Sequence, residues 1–270
     1  MPEGPEVRRA ADQIQRAIGG DVATEVFFAF ERLEEWAERF TGDRVDAVET
    51  YGKALCVVFG CGYAVYTHNQ LYGKWLVRRA GTAPRTGRQL RFMVETAEKS
   101  ALLYSASEIE VRHRDELEEH PYIAKLGPDP LRPETDRDAI LAQFERHPRR
   151  SLGAALLDQS FIAGIGNYLR SEILFEAGLV PEWRACDLDD DEASRLADAV
   201  MMIVERAYKK RGVTVEPELA KRCKADGWRR REYRHYVFGR AGRECFRCGE
   251  VIERDEIGGR RLYWCPGCQE

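Results

Sequence analysis

Apolar residues recur along the chain at two different spacings, and the change between them divides it. Residues 4–19 place Val7, Ala10, Ala11, Ile14 and Ile18 at helical spacing, the stripe of an amphipathic helix. RLEEWAERF repeats that pattern with Leu33, Trp36 and Phe40. From about Val45 to Arg112 the period falls toward two. VDAVE, ALCVVF, YAVYT, KWLVRR, LRFMVET, ALLYS and EIEVR are short β-rich runs broken by glycine-containing or polar turns. Short runs this closely spaced predict an antiparallel sandwich or barrel. LGPDPLRPE, at 126–134, holds three prolines in nine residues and reads as a linker. Helical spacing then returns in DAILAQFER, SLGAALLDQSFI, NYLRSEILFEAG and DEASRLADAVMMIVERAYKK. The last 35 residues turn β-like around four cysteines, and there is no internal repeat or low-complexity segment.

Composition narrows the class. A chain of 270 residues has room for two domains, and 44% hydrophobic content supports packed cores. No run approaches 18 consecutive apolar residues, so no membrane span is expected. The N-terminus lacks the basic-then-apolar order of a secretion signal. Of eight cysteines, Cys56, Cys61, Cys186 and Cys223 follow no pattern, whereas four lie patterned in the last 26 residues. That distribution argues for a metal site in a reducing compartment rather than a disulfide scaffold. The net charge of −4 is uneven: residues 201–270 hold 17 basic and 11 acidic residues, a net of +6, against −10 for the rest. A basic segment on an acidic chain suggests a localised anion-binding face, the alternative being an ordinary solvated surface of mixed charge.

The chemistry-bearing motifs are four. Cys245-Phe-Arg-Cys248 and Cys265-Pro-Gly-Cys268 are two CxxC knuckles sixteen residues apart, spacing that suits a tetrahedral Zn²⁺ site with a β-hairpin between, or else a redox dithiol pair. Four thiolates close such a shell, so the metal is expected to be single and structural. Gly258-Gly259 supplies the turn, and Arg260 and Arg261 follow it, where a cation can reach a phosphate. In GIGNYLRSE, 164–172, Asn167 stands at the N-cap or in the first turn of a helix, a position suited to phosphate oxygens and also common in plain helix–helix turns. THNQLYGKW, 67–75, ends a strand with Gln70, Leu71 and Tyr72 in a turn. Either they fold back into the core or they form an apolar wedge of the kind that kinks duplexes or fills the gap left by a flipped base. Finally, MPEGPEVRR opens the chain. Loss of Met1 leaves Pro2 a free secondary amine, with a reference pKa near 8, that can attack an electrophilic carbon and form an iminium ion, beside Glu3 as a proton carrier. The plainer reading is a helix start with acids in its first turn.

MPEGPEVRRA, YGKAL at 51–55, HNQLYG at 68–73, LYSASEIE at 103–110, LGPDPL at 126–131, LLDQSFIAGIGNYLRSEIL at 156–174 and YWCPGCQ at 263–269 occur in that order. Together they resemble the formamidopyrimidine-DNA glycosylase/endonuclease VIII family over essentially the whole chain. Gly4 after MPE, the QLY turn and the YWCPGCQ ending look more like the endonuclease VIII branch. The resemblance implies an α+β multidomain fold: an N-terminal antiparallel β-sandwich with flanking helices over 1–124 and a linker at 125–133. A helix–two-turn–helix domain over 134–234 and a zinc finger over 235–270 follow. It implies Pro2 as nucleophile, Glu3 as acid/base and Lys53 as a backbone-contacting residue that assists catalysis. By the same resemblance Asn167 binds phosphate, and Arg260, five residues before the third zinc cysteine, is the finger arginine. Gln70, Leu71 and Tyr72 fill the space of the extruded nucleotide.

The implied function is excision of oxidised pyrimidines from damaged DNA and strand cleavage by β,δ-elimination. The protein is expected as a cytoplasmic, nucleoid-associated monomer that needs no organic cofactor. Two other readings compete: an oxidised-purine glycosylase of the same family, and a non-catalytic zinc-ribbon DNA-binding protein. The chain departs from its basic relatives in being acidic overall, which calls for a focused groove and steeply salt-sensitive binding. The stretch 212–228, GVTVEPELAKRCKADGW, matches no motif.

Overall fold

The structure is a computed structural model that describes residues 2–270; Met1, whose removal frees the Pro2 amine, lies outside the described residues. The chain forms two units, one of Pro2 with Glu6–Lys125 and one of Glu3–Pro5 with Leu126–Glu270.

In the first unit, α1 (Gly4–Ile18) buries Val7, Ala11, Ile14 and Ile18, the stripe that the helical spacing predicts. Two four-stranded antiparallel sheets follow. One has the order β1 (Glu25–Phe28), β6 (Leu90–Glu95), β7 (Lys99–Tyr104), β5 (Lys74–Arg79). The other has the order β2 (Val45–Tyr51), β3 (Ala54–Phe59), β4 (Tyr63–His68), β8 (Glu108–His113). Phe28, Phe92 and Leu103 from the first sheet share one core with Leu55, Val57, Phe59 and Val65 from the second and with α1, so this is a sandwich. α2 (Glu34–Phe40) closes one side, with Phe40 stacked on Phe59 at 4.1 Å. β3 is apolar throughout because both of its faces are covered: Ala54, Cys56 and Val58 pack outward with Tyr66, Leu117 and Ile123. The short β-rich runs identify seven of the eight strands. β1 escapes them because four residues, exposed and buried in turn, carry too few positions for a period.

In the second unit the Pro-rich stretch is not a free tether. Asp129 and Pro130 are buried, Gly127 donates to the Gln159 carbonyl, and Ala163 donates to the Pro128 carbonyl. α3 (Arg137–Arg146), α5 (Asn167–Ala177) and α6 (Asp190–Lys209) agree with their patterns. The helix expected over SLGAALLDQSFI does not form beyond α4 (Leu152–Ala155). Asp158 ends it, its carboxylate accepting from the Ser160 amide and hydroxyl at 2.9 and 2.8 Å in a local turn that competes with helix. The residues between α4 and α5 are therefore turns, as in a helix–two-turn–helix. The unplaced stretch folds into α7 (Pro217–Ala225), followed by α8 (Arg230–Tyr233). β9 (Glu253–Ile257) and β10 (Arg260–Trp264) form the expected hairpin. The register pairs Arg260 with Ile257, leaving Gly258 and Gly259 as a two-residue loop at φ +64° and +68°, a type I′ turn that favours glycine. Among the described residues no helix is long and apolar enough to cross a membrane.

Candidate functional site

Glu3 is not a first-turn residue of α1; it precedes that helix, and its side chain serves another one. The carboxylate is 4% exposed and accepts backbone N–H bonds from Gly166 at 2.8 Å, Tyr168 at 2.9 Å and Leu169 at 3.2 Å. These are unpaired donors at the N-terminus of α5, where an anion also meets the positive end of the helix dipole. Gly166, the N-cap, is required here, because a Cβ would lie 2.4 Å from the Glu3 carboxyl carbon. Gly4 adds a bond from its amide to the Gly164 carbonyl at 2.8 Å. The helix-start reading of MPE therefore does not account for Glu3. Glu3 thus takes the N–H of Gly166 within GIGN and those of the next residues Tyr168 and Leu169, which are not open to a phosphate. Asn167 is the first residue of α5, half-buried, and its Oδ1 is buried with no hydrogen-bond partner among the described residues. Pro2 is half-buried.

Lys53 occupies the two-residue turn between β2 and β3 and is 6% exposed, with its amide donating to the Tyr122 hydroxyl at 3.1 Å. Its charge is one of the influences on His68, whose imidazole burial holds below its ordinary value against the pull of Glu108. His68 Nδ1 accepts from the Gln70 amide at 3.2 Å, as a neutral ring does, so its 4.0 Å approach to Glu108 is not an ion pair. The next three residues form the predicted turn. Leu71 and Tyr72 are 66% and 70% exposed, the most exposed large hydrophobic residues described. They do not fold back into the core. Gln70, at φ +47°, is held by its side chain: Nε2 donates to Glu108 at 2.8 Å, and Oε1 accepts from the Ser107 hydroxyl at 2.8 Å. Arg88 donates to the Tyr72 carbonyl at 2.5 Å. The exposed pair is thus presented on a tied loop.

The hairpin is anchored by a residue that sequence reasoning passed over. Arg170 in α5 is fully buried and donates to the carbonyls of Gly153, Ile257, Arg260 and Arg261 at 2.7, 3.0, 2.8 and 3.2 Å. Burial, with the nearby Arg260 charge, lowers its guanidinium to about 10, which leaves it a cation at neutral pH. Strand alternation puts Arg260 on the same face of β10 as buried Leu262 and Arg261 on the other. Both arginines are exposed. Two residues after Arg170, Glu172 is also fully buried, accepting from the Thr214 hydroxyl and the amides of Tyr236, Val237 and Phe238. In sequence Arg170 and Glu172 look like ordinary solvated helix charges, and nothing in the local pattern marks them as buried.

The sulfur atoms of Cys245, Cys248, Cys265 and Cys268 all lie within 4.8 Å of one another, with Cys245–Cys268 at 3.8 Å and Cys248–Cys265 at 3.4 Å. Four sulfurs around a tetrahedral ion at ~2.3 Å stand ~3.8 Å apart, so the donor set fits one metal ion with no vacant position. The alternative redox reading needs separate dithiol pairs, whereas here all four sulfurs gather in one cluster.

Two family models match, the formamidopyrimidine-DNA glycosylase N-terminal domain over residues 1–108 and the formamidopyrimidine-DNA glycosylase H2TH domain over residues 126–217. Curated proteins named Endonuclease 8 are similar over the full length of both chains: 41% identical in Klebsiella pneumoniae subsp. pneumoniae, 42% in Salmonella arizonae and 43% in Escherichia coli O17:K52:H18. Among solved structures, Lactococcus lactis Fpg (MutM) bound to DNA containing N7-benzyl-Fapy-dG aligns with a TM-score of 0.82 at 23% identity, covering 100% of both chains. The same protein with abasic-site DNA aligns at 0.81 and 23%, covering 99% of each. At that identity the structures show a shared fold.

Proposed function

The chain belongs to the formamidopyrimidine-DNA glycosylase family, and on that premise we propose that it is a bifunctional DNA glycosylase and AP lyase of base excision repair, acting on oxidised pyrimidines through an iminium intermediate on Pro2. The observation that carries this reading is Glu3. Its carboxylate is buried against the N-terminus of a helix more than 160 positions further along the chain. It fixes the residue that follows Pro2 in the chain.

The chemistry follows from those groups. Extruding the damaged nucleotide costs a few kcal/mol, least for a base already poorly paired. Gln70, Leu71 and Tyr72 fill the vacated stack. The Pro2 amine attacks C1′ of the sugar and the base departs. The resulting iminium acidifies the 2′ proton, so β-elimination breaks the strand 3′ to the lesion, and δ-elimination then removes the sugar and leaves phosphates on both sides. Glu3 carries protons to and from the opened sugar. Lys53, Asn167 and Arg260 hold flanking phosphates, contacts that set position without reading sequence. Cys245, Cys248, Cys265 and Cys268 hold one Zn²⁺, which keeps the hairpin folded and Arg260 aimed. The functional division is proposed as 1–124, 125–133, 134–234 and 235–270.

The pyrimidine preference rests on full-length similarity to proteins named Endonuclease 8 and on the exposed QLY turn. Duplexes carrying thymine glycol, dihydrouracil or 8-oxoguanine, presented separately, test it. Cleavage of the first two in preference to the third is the expected result. Preference for 8-oxoguanine establishes the purine activity instead, and binding with no cleavage of any establishes a non-catalytic protein.

A further inference from the structure

The stretch that matches no sequence motif carries charge that the site described above does not use. Lys221, Arg222 and Lys224 in α7, then Arg229, Arg230 and Arg231 at the start of α8, are all exposed, and Asp226 is the one acid between them. Some exposed cations elsewhere are paired, as in Arg44–Asp46, Arg137–Asp198 and Lys209–Glu205. None of these six forms an ion pair among the described residues. Glu218, four residues before Arg222, does not pair with it, and Glu232 is used as a cap, accepting from the Arg229 amide at 2.7 Å. Arg230 donates to the Arg211 carbonyl.

The surface is also rigid. Leu219 and Ala220 turn inward onto the cluster with Val215 and Tyr236 and Cys223 is buried, which directs Lys221 and Arg222 outward. Gly227, at φ +80°, ends α7. The Trp228 amide bonds back to the Cys223 carbonyl at 2.9 Å, and the indole packs on Phe246 of the first cysteine knuckle at 5.8 Å. Six like charges on a fixed scaffold repel one another, and on a chain of net charge −4 they form a local exception to the overall sign.

We propose that α7 and the start of α8 form a further DNA-contact surface, one that holds duplex phosphates in addition to those held by Asn167 and Arg260. Phosphate backbones supply the regularly spaced negative charge that such a surface lacks internally. Duplex fits better than unpaired strand, because a strand-binding groove stacks successive bases on successive aromatics, and here the single exposed ring, Trp228, already rests on Phe246. The surface gives an acidic protein its grip on undamaged DNA. This rests on the proposed DNA substrate but not on the Pro2 chemistry.

Two full-length variants test it: Lys221→Gln/Arg222→Gln/Lys224→Gln and Arg229→Gln/Arg231→Gln, each checked for retained metal and helix content. Binding to undamaged duplex is titrated against salt. Removing one cation from a phosphate makes the slope of log affinity against log salt shallower by about one, so the triple variant is expected to be shallower by about two to three and the double by about one to two. Replacing the same α7 residues by Arg or Lys, with charge kept, restores the parental slope. In single-turnover excision the effect falls on the half-saturating enzyme concentration and not on the maximal rate. Parental affinity and slope in both variants overturn the proposal, as does a weakening confined to single-stranded DNA or RNA. A failure of Pro2 to react leaves these binding curves unchanged, so the two readings fail separately.

Discussion

At the scale of single residues, Glu3 has two duties, and they separate by measurement. As acid or base it contributes a factor of about 10² to 10⁴ in rate, and as an acceptor for three α5 amides it contributes about 0.5–2 kcal/mol to the fold. Glu3→Gln keeps the size of the group and one acceptor oxygen but turns an amide toward the same donors. Excision rate is expected to fall by that factor while lesion-duplex binding is largely kept and the unfolding midpoint drops slightly; excision at the parental rate leaves Glu3 a structural residue only. Arg260 and Arg261 form a second residue-level pair. Neighbours in sequence, they point to opposite faces of β10. Arg260→Ala is expected to fold, keep its metal and bind lesion duplex more weakly, with the salt slope reduced by about one, while Arg261→Ala changes much less. Equal losses indicate a merely basic tip, and a larger loss from Arg261 puts the register of the contact one residue later.

At the scale of elements, α5 organises the second unit. Its N-terminus receives Glu3, Arg170 ties it to the hairpin turn, and Glu172 ties it to the 236–238 backbone and Thr214. His235 lies in the same knot, its Nδ1 3.0 Å from the Thr214 hydroxyl. Burial, followed by the charges of Arg234 and Arg230, holds its imidazole down at about 3 against 6.5 in the unfolded chain. Between those values the unfolded chain binds a proton that the folded chain refuses, so stability is present in full above 6.5 and declines as pH falls, by up to ~1.4 kcal/mol per unit. Urea midpoints measured from pH 7 to 4 are expected to fall less steeply in His235→Gln than in the parent, and an identical slope contradicts the assignment. Such knots mark the limit of what the sequence discloses. The amphipathic helices, seven strands, the cysteine knuckles and the hairpin turn are written in local spacing. β1 is too short to show a period, and α4 ends early because Asp158 bonds its own neighbours. Arg170 and Glu172 answer to backbone groups 17 to 91 positions away, which no window of sequence contains. The local pattern of the MPE start offers two readings, a terminal nucleophile and a plain helix start, and does not choose between them.

At the scale of the molecule, an acidic chain concentrates its positive charge in its last 70 residues, and its second unit reclaims Glu3–Pro5 from the start of the chain. The work proposed for Pro2, just ahead of that segment, is covalent. Borohydride reduction during turnover on abasic or thymine-glycol DNA, followed by peptide mapping, tests this most directly. The account predicts one protein–DNA adduct, located at the Pro2 nitrogen, and no adduct when Met1 is retained. An adduct on Lys53, or none from a preparation that cleaves DNA, contradicts it.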